Sequence, residues 1–213
     1  MALPQPVVVN EDYSVRQELR ALGLTPEMVI EVARSAASAK AEALEIDPAG
    51  APGTKAYHAG VRATRMALLP LGWRMSRPDN VEATVNDELG IQLVFQNVDI
   101  ACTERVPQAL SIKGAGSRKL IQDGQVELFD RNDPKAPDAV GSKPTVWVIC
   151  VSSDAKKLRA EVSCPEAFEG NQYDGFTKRI FVLDENLEPT PFDDVHPDEG
   201  DGPSEHEVVV LRK

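Results

Sequence analysis

The stretch Ser111-Ile-Lys-Gly-Ala-Gly-Ser-Arg-Lys119 sets three cations and two glycines within nine residues. Glycines let successive backbone N–H groups converge on one point, and a helix opening at Ser117 would add the partial positive charge of its N-terminus. Both features favour an anion. Lys113, Gly114, Gly116, Ser117, Arg118 and Lys119 are therefore the candidate ligand-binding residues, and a phosphate-bearing small molecule is the candidate ligand. The residue order follows neither the phosphate-loop pattern nor the dinucleotide fingerprint. The chemistry it suggests is anion binding, not a named nucleotide motif.

A second arrangement overlaps the first. Pro78-Asp79 precedes Ser111-Ile-Lys113, and Glu127 follows. That order resembles the Pro-Asp … Ser-x-Lys … Glu variant of the metal-dependent restriction-type nuclease site. The resemblance rests on these few residues. It implies Asp79 and Glu127 as ligands of Mg²⁺, with Lys113 helping to activate or position water beside the scissile phosphate. Other hydrolytic chemistry has less material. No G-x-S-x-G elbow occurs, and Asp193-Asp194 beside His196 lie in a strongly acidic stretch, where solvated charge is the expectation.

The remainder of the chain must position these residues. Its 213 residues fit one large domain, or one domain with an appendage. Only 5% are aromatic, so aliphatic side chains and alanine must carry the core. A net charge of −11 argues against broad nucleic-acid binding, which needs a positive field, though it leaves room for a local basic site. Met1 to Val9 shows no basic region followed by an apolar block, and no apolar run reaches the length of a membrane span. Cys102, Cys150 and Cys164 are odd in number and far apart, which suits reduced structural thiols. A cytoplasmic protein with no membrane segment is expected.

Pro6-Val-Val-Val9 reads as a short strand. Ser14 with Gln17 forms a capping-box pattern for a helix from Val15 to Leu22. Thr25-Pro26 supplies an N-cap and a first-turn proline for a second helix, striped by Met28, Val29, Val32, Ala33, Ala36, Ala37 and Leu44. The breaker cluster Asp47 to Gly53 predicts a loop, with Thr54 capping a third helix that aligns Tyr57, Val61, Thr64 and Leu68. On that helix His58, Arg62 and Arg65 form a basic edge, either a solvated face or a contact for an anion.

Beyond Gly72 the period becomes strand-like. Short strands are predicted at Trp73 to Met75 and Val81 to Val85, then a long central one at Ile91 to Ile100. Its Ile91, Leu93 and Phe95 point one way, Val94, Val98 and Ile100 the other. Asp130 to Lys143 reads as a linker and Thr145 to Val151 as a second central strand. Leu158 to Cys164 alternates, with Arg159, Glu161 and Ser163 assigned outward. A loop over Glu166 to Gly175 precedes a last core strand, Arg179 to Leu183. Short polar turns favour an antiparallel meander. From Asp184 the chain turns acidic and ends in the strand-competent Val208-Val-Val-Leu211.

The expected fold is α+β: about three N-terminal helices (residues 1–71) on a mainly antiparallel sheet (72–183) with a short helix after the glycine loop. An acidic arm (184–213) ends in a short strand. The expected function is that of a non-catalytic cytosolic binding or accessory protein. It would meet a protein partner or a second copy, with a phosphate-bearing ligand at the 113–119 loop. The Mg²⁺-dependent nuclease is the alternative.

Overall fold

A computed structural model of the chain describes residues 5–111, 114–121 and 144–187. The strands are β1 (Val7–Val9), β2 (Arg74–Ser76), β3 (Ala83–Asn86), β4 (Ile91–Asn97), β5 (Thr145–Ser153), β6 (Lys157–Glu169) and β7 (Gln172–Asn186). The helices are α1 (Asp12–Ala21), α2 (Pro26–Ala41), α3 (Ala51–Leu68) and α4 (115–121). The fold is α+β, as expected.

All seven strands join one mixed sheet in the order β1-β7-β6-β5-β4-β3-β2. The strands β2-β3-β4 form one antiparallel meander and β5-β6-β7 a second. These two meet through the parallel pair β4–β5, and β1 pairs in parallel with β7. A single continuous meander is therefore not what forms. Parallel neighbours need a long crossover, and the connection from Val98 to Pro144 supplies it.

Local chemistry explains the helix starts. Thr25 caps α2, its Oγ1 accepting a hydrogen bond from Met28 N at 3.3 Å, and Pro26 occupies the first turn. The first helix begins earlier than the Ser14 pattern implies. Asp12 lies in its first turn and pairs with Arg16 at 3.2 Å, leaving Ser14 inside the helix. For α3 the cap is Gly50, not Thr54, whose N–H already bonds Gly50 O at 3.0 Å. Pro52 fits there because first-turn residues need no N–H donor. What looks like a breaker cluster is partly a helix start.

Each face of the sheet carries a core. The helical layer buries Leu19, Val29, Val32, Ala33, Ala36 and Leu68 against Ile91, Leu93, Phe95, Ile149 and Val162. On the other face Val94, Val98, Val148, Cys150, Tyr173 and Phe176 pack with Ala101, Ala109 and Ile121 of the crossover. The two-sided reading of β4 holds for Ile91, Leu93, Phe95, Val94 and Val98, but the strand ends at Asn97 rather than Ile100, and Ile100 is only partly buried beyond it. In β6 the assignment of Glu161 and Ser163 to solvent does not hold, since both are 0% exposed.

The reason is a salt bridge inside the second core. Arg179 donates from Nε and Nη2 to Glu161 Oε1 and Oε2 at 2.8 and 2.7 Å. Ser163 Oγ and Cys102 N donate to the same carboxylate, at 2.7 and 2.6 Å. Arg179 Nη1 donates to Thr103 O and Arg105 O, so the pair anchors the 102–105 turn to the sheet. A buried pair persists only when its remaining donors and acceptors are satisfied in this way. The expected loop at 166–175 is also corrected. Strands β6 and β7 continue through it to a tight turn at Gly170 (φ 58°), with register shifts absorbing Pro165, while Tyr173 and Phe176 are buried. Burial of those rings outweighs the local turn signals.

Cys102 sits at the tip of that turn with φ 55°, its thiol donating to Ala160 O and Leu183 O. Burial, reinforced by the neighbouring Glu161 carboxylate, pushes the thiol up to about 12. Roughly one thiol in ten thousand is then ionised at pH 8, and the thiolate is the reactive species. Iodoacetamide is expected to leave Cys102 unmodified in the native protein and to label it after denaturation. Peptide mass mapping checks this. An unfolded thiol ionises near pH 8.5 while the folded one keeps its proton, so this group's stabilising contribution fades as pH rises from there towards 12.

No described helix is long and apolar enough to cross a membrane. The linker at 130–143, Asp193, Asp194, His196 and the terminal Val208-Val-Val-Leu211 lie outside the described residues.

Candidate functional site

The central strand β4 ends in two amides, Gln96 and Asn97, after an apolar run. Asn97 ties two elements to that end. Its Nδ2 donates to Gly53 O in the first turn of α3 at 2.9 Å, and its backbone carbonyl accepts from Leu110 N at 3.0 Å. The chain therefore returns past the carboxyl end of β4 just before the glycine loop. Between the start of α3 and this return lies a cleft of about 510 Å³. Thr54, Asn97, Gln96, Ser111, Ser117 and the backbone of Gly50 and Gly53 line it. A smaller cavity of about 100 Å³ adjoins it, sharing Tyr57, Gln96 and Ser117 and reaching down to Phe95 and Tyr173.

Among the described residues no charged side chain lines the larger cleft. In a protein of net charge −11 that matters, because the described lining presents hydroxyls and amides without a carboxylate to repel an anion. Gln96 is itself buried, with an amide that donates to Asn97 O at 2.7 Å. Burial raises the Tyr57 hydroxyl above its ordinary range, aided by Glu82, so it remains a neutral donor.

The glycine loop packs on the Pro78–Asn80 turn. An added Cβ at Gly116 would stand 2.4 Å from Asp79 O and 2.9 Å from Asp79 Cβ, so only glycine permits this approach. Asp79 and Asn80 themselves hold φ of 48° and 64°, a left-handed pair unusual for residues with side chains. The Asp79 carboxylate faces Lys119 Nζ at 3.4 Å. Ser117 lines the cleft, and Arg118 follows on α4 with no ion pair to a described residue.

Of the residues singled out by sequence, the structure thus brings Asp79, Gly116, Ser117 and Lys119 into one neighbourhood, with Gly114 preceding α4. Lys113 and Glu127 lie outside the described residues. Among the described residues no group of three or more His, Cys, Asp or Glu side chains could hold a metal ion. Sequence reasoning missed Thr54, Gln96 and Asn97. The one signal, for Gln96 and Asn97, is a polar pair terminating a strand whose preceding Leu93-Val-Phe95 run is apolar on both faces.

The other basic cluster behaves differently. His58, Arg62 and Arg65 line a separate groove along α3, where Arg65 is engaged with Glu82 at 2.5 Å. No known protein family, curated protein or solved structure matches this chain.

Proposed function

We propose that this chain is a non-catalytic cytosolic binding or accessory protein, taking a phosphate-bearing ligand in the cleft between the start of α3 and the glycine loop. A protein partner or a second copy would read the bound state. One observation supports this most: a cleft of about 510 Å³ whose described lining offers hydroxyls and amides and no carboxylate, in a strongly acidic chain. Lys113, Arg118 and Lys119 would supply the counter-charge. Thr54, Ser111 and Ser117 would fix the orientation of phosphate oxygens, as polar groups do in ligand pockets.

A thermal-shift panel of nucleotides, pyrophosphate and sugar phosphates tests the reading. Ligand bound only to the folded state adds RT ln(1 + [L]/Kd), about 2.7 kcal/mol at a hundredfold excess over Kd. A rise of several degrees is expected for at least one ligand, and the Lys113→Ala, Arg118→Ala double variant is expected to lose it. Absence of a shift with every phosphorylated compound would contradict the proposal.

A second reading, the Mg²⁺-dependent nuclease, draws on one observation: Asp79 touches the glycine loop at Gly116 and Lys119. Asp79 with Glu127 would hold Mg²⁺, and Lys113 would position the water. The pairing of Asp79 with Lys119 competes with that metal, so the binding reading ranks first. Cleavage of DNA with Mg²⁺ or Mn²⁺, stopped by Lys113→Ala, would reverse the ranking.

A further inference from the structure

The helical layer stops short of one edge of the sheet. Leu93 lies in the core beneath the helices, and its cross-strand neighbours on the same face are Thr84 and then Met75. Helix α3 shields Thr84, which is 3% exposed, but Met75 on the edge strand is 60% exposed. A groove of about 660 Å³ results, walled by α3 and floored by Met75 and Glu82. Its helical wall is one stripe: His58, Val61, Arg62, Arg65, Met66 and Leu69. From His58 to Leu69 it extends about 17 Å at the α-helical rise.

This groove joins an apolar body to an excess of positive charge. Met66 is 70% and Leu69 37% exposed, an unusual arrangement for side chains that gain by leaving water. Methionines at both walls suit an apolar guest of irregular shape. Arg65 and Arg77 both bond to Glu82, at 2.5 and 2.6 Å, so one carboxylate serves two guanidinium groups. Partial burial opposes the charge on Glu82, but the two arginines outweigh it and hold the carboxyl below its usual range. Arg62 is exposed and has no ion pair among the described residues. Arg65 Nε is a buried donor that finds no acceptor among them.

We propose that this groove binds a small amphipathic acid, an aliphatic or aromatic body carrying one carboxylate. The body would lie along Val61, Met66, Leu69 and Met75. The head would be met by Arg62, with His58 adjacent. This site is distinct from the phosphate cleft: among the described residues Tyr57 alone lines both. Either proposal can fail without the other.

The test uses the full chain with decanoate as probe, kept below its micelle-forming concentration, and decanol as the neutral control. Calorimetry is expected to show saturable decanoate binding. Arg62→Gln is expected to weaken it about tenfold, the factor that loss of about 1.4 kcal/mol of charge-assisted hydrogen bonding produces. Decanol is expected to bind at least as weakly as decanoate does to that variant. Met66→Glu is expected to abolish binding while leaving the sizing profile unchanged. Equal binding of decanol, or an unchanged affinity in Arg62→Gln, would reduce the groove to a non-specific apolar patch and overturn the proposal. No decanoate binding would overturn it too. If Met66→Glu instead dissolves an oligomer, the groove is an interface between copies and the proposal is wrong.

Discussion

Replacing Arg179 with methionine is expected to lower the unfolding free energy by about 3–5 kcal/mol, the usual consequence of removing one partner of a buried ion pair. Glu161 would then keep its charge, or gain a proton, in a site with 0% exposure, retaining only Ser163 and Cys102 N as donors. The carbonyls of Thr103 and Arg105 would lose their common donor as well. The double variant Glu161→Leu, Arg179→Met removes both charges and is expected to recover part of that loss. Recovery is incomplete because Cys102 N–H and the two carbonyls still lack partners. Urea unfolding of the three variants checks the order. If Arg179→Met alone proves within about 1 kcal/mol of wild type, the pair does not anchor the 102–105 turn as described.

Gly60→Ala is the second large effect expected. Helix α3 lies so close to β4 that a Cβ at residue 60 would stand 2.3 to 2.6 Å from three ring atoms of Phe95. Phe95 is 4% exposed and its ring also meets Tyr57, so it has little room to yield. Overpacking of this kind costs about 1–3 kcal/mol. Phe95→Leu alone also destabilises, by leaving a cavity. Together the two changes are expected to compensate, with a favourable coupling of at least about 1 kcal/mol in a double-mutant cycle measured by thermal unfolding. Additive losses would mean that the contact relaxes by helix displacement. The same ring walls the small cavity beside the cleft, so Gly60→Ala is also expected to weaken ligand binding there.

How far the sequence reveals this molecule depends on which interactions are local. Thr25-Pro26 announces α2 because capping involves residues three apart. The two faces of β4 are legible because side-chain alternation is intrinsic to a strand, and Leu93 and Val94 do enter opposite cores. Glu161 and Arg179 mislead for the opposite reason. Each looks like an outward residue on its own strand, and only the β6–β7 register, with Ser163 opposite Arg179, shows that they neutralise one another. Pro165, Gly170 and Gly175 likewise signal a loop locally, while Tyr173 and Phe176 hold the hairpin through distant contacts with Val148 and Cys150. At the candidate site the glycines and cations are visible in sequence. Gln96, Asn97 and Thr54 are not, because they reach the cleft from separate elements, α3 and β4, which the bond from Asn97 to Gly53 ties together at this end. Asp79 meets Gly116 across more than thirty residues of chain, which spacing alone does not reveal.

The central claim is that the cleft beside the glycine loop binds a phosphate-bearing ligand. Amide chemical-shift mapping of the ¹⁵N-labelled full chain, titrated with ATP and separately with pyrophosphate without added metal, addresses it most directly. Saturable shifts centred on Gly53, Thr54, Asn97, Ser111 and Ser117 are expected, with Met66 and Met75 of the separate groove unmoved. Shifts absent from those five amides, or spread without saturation over the basic surface residues, would contradict it.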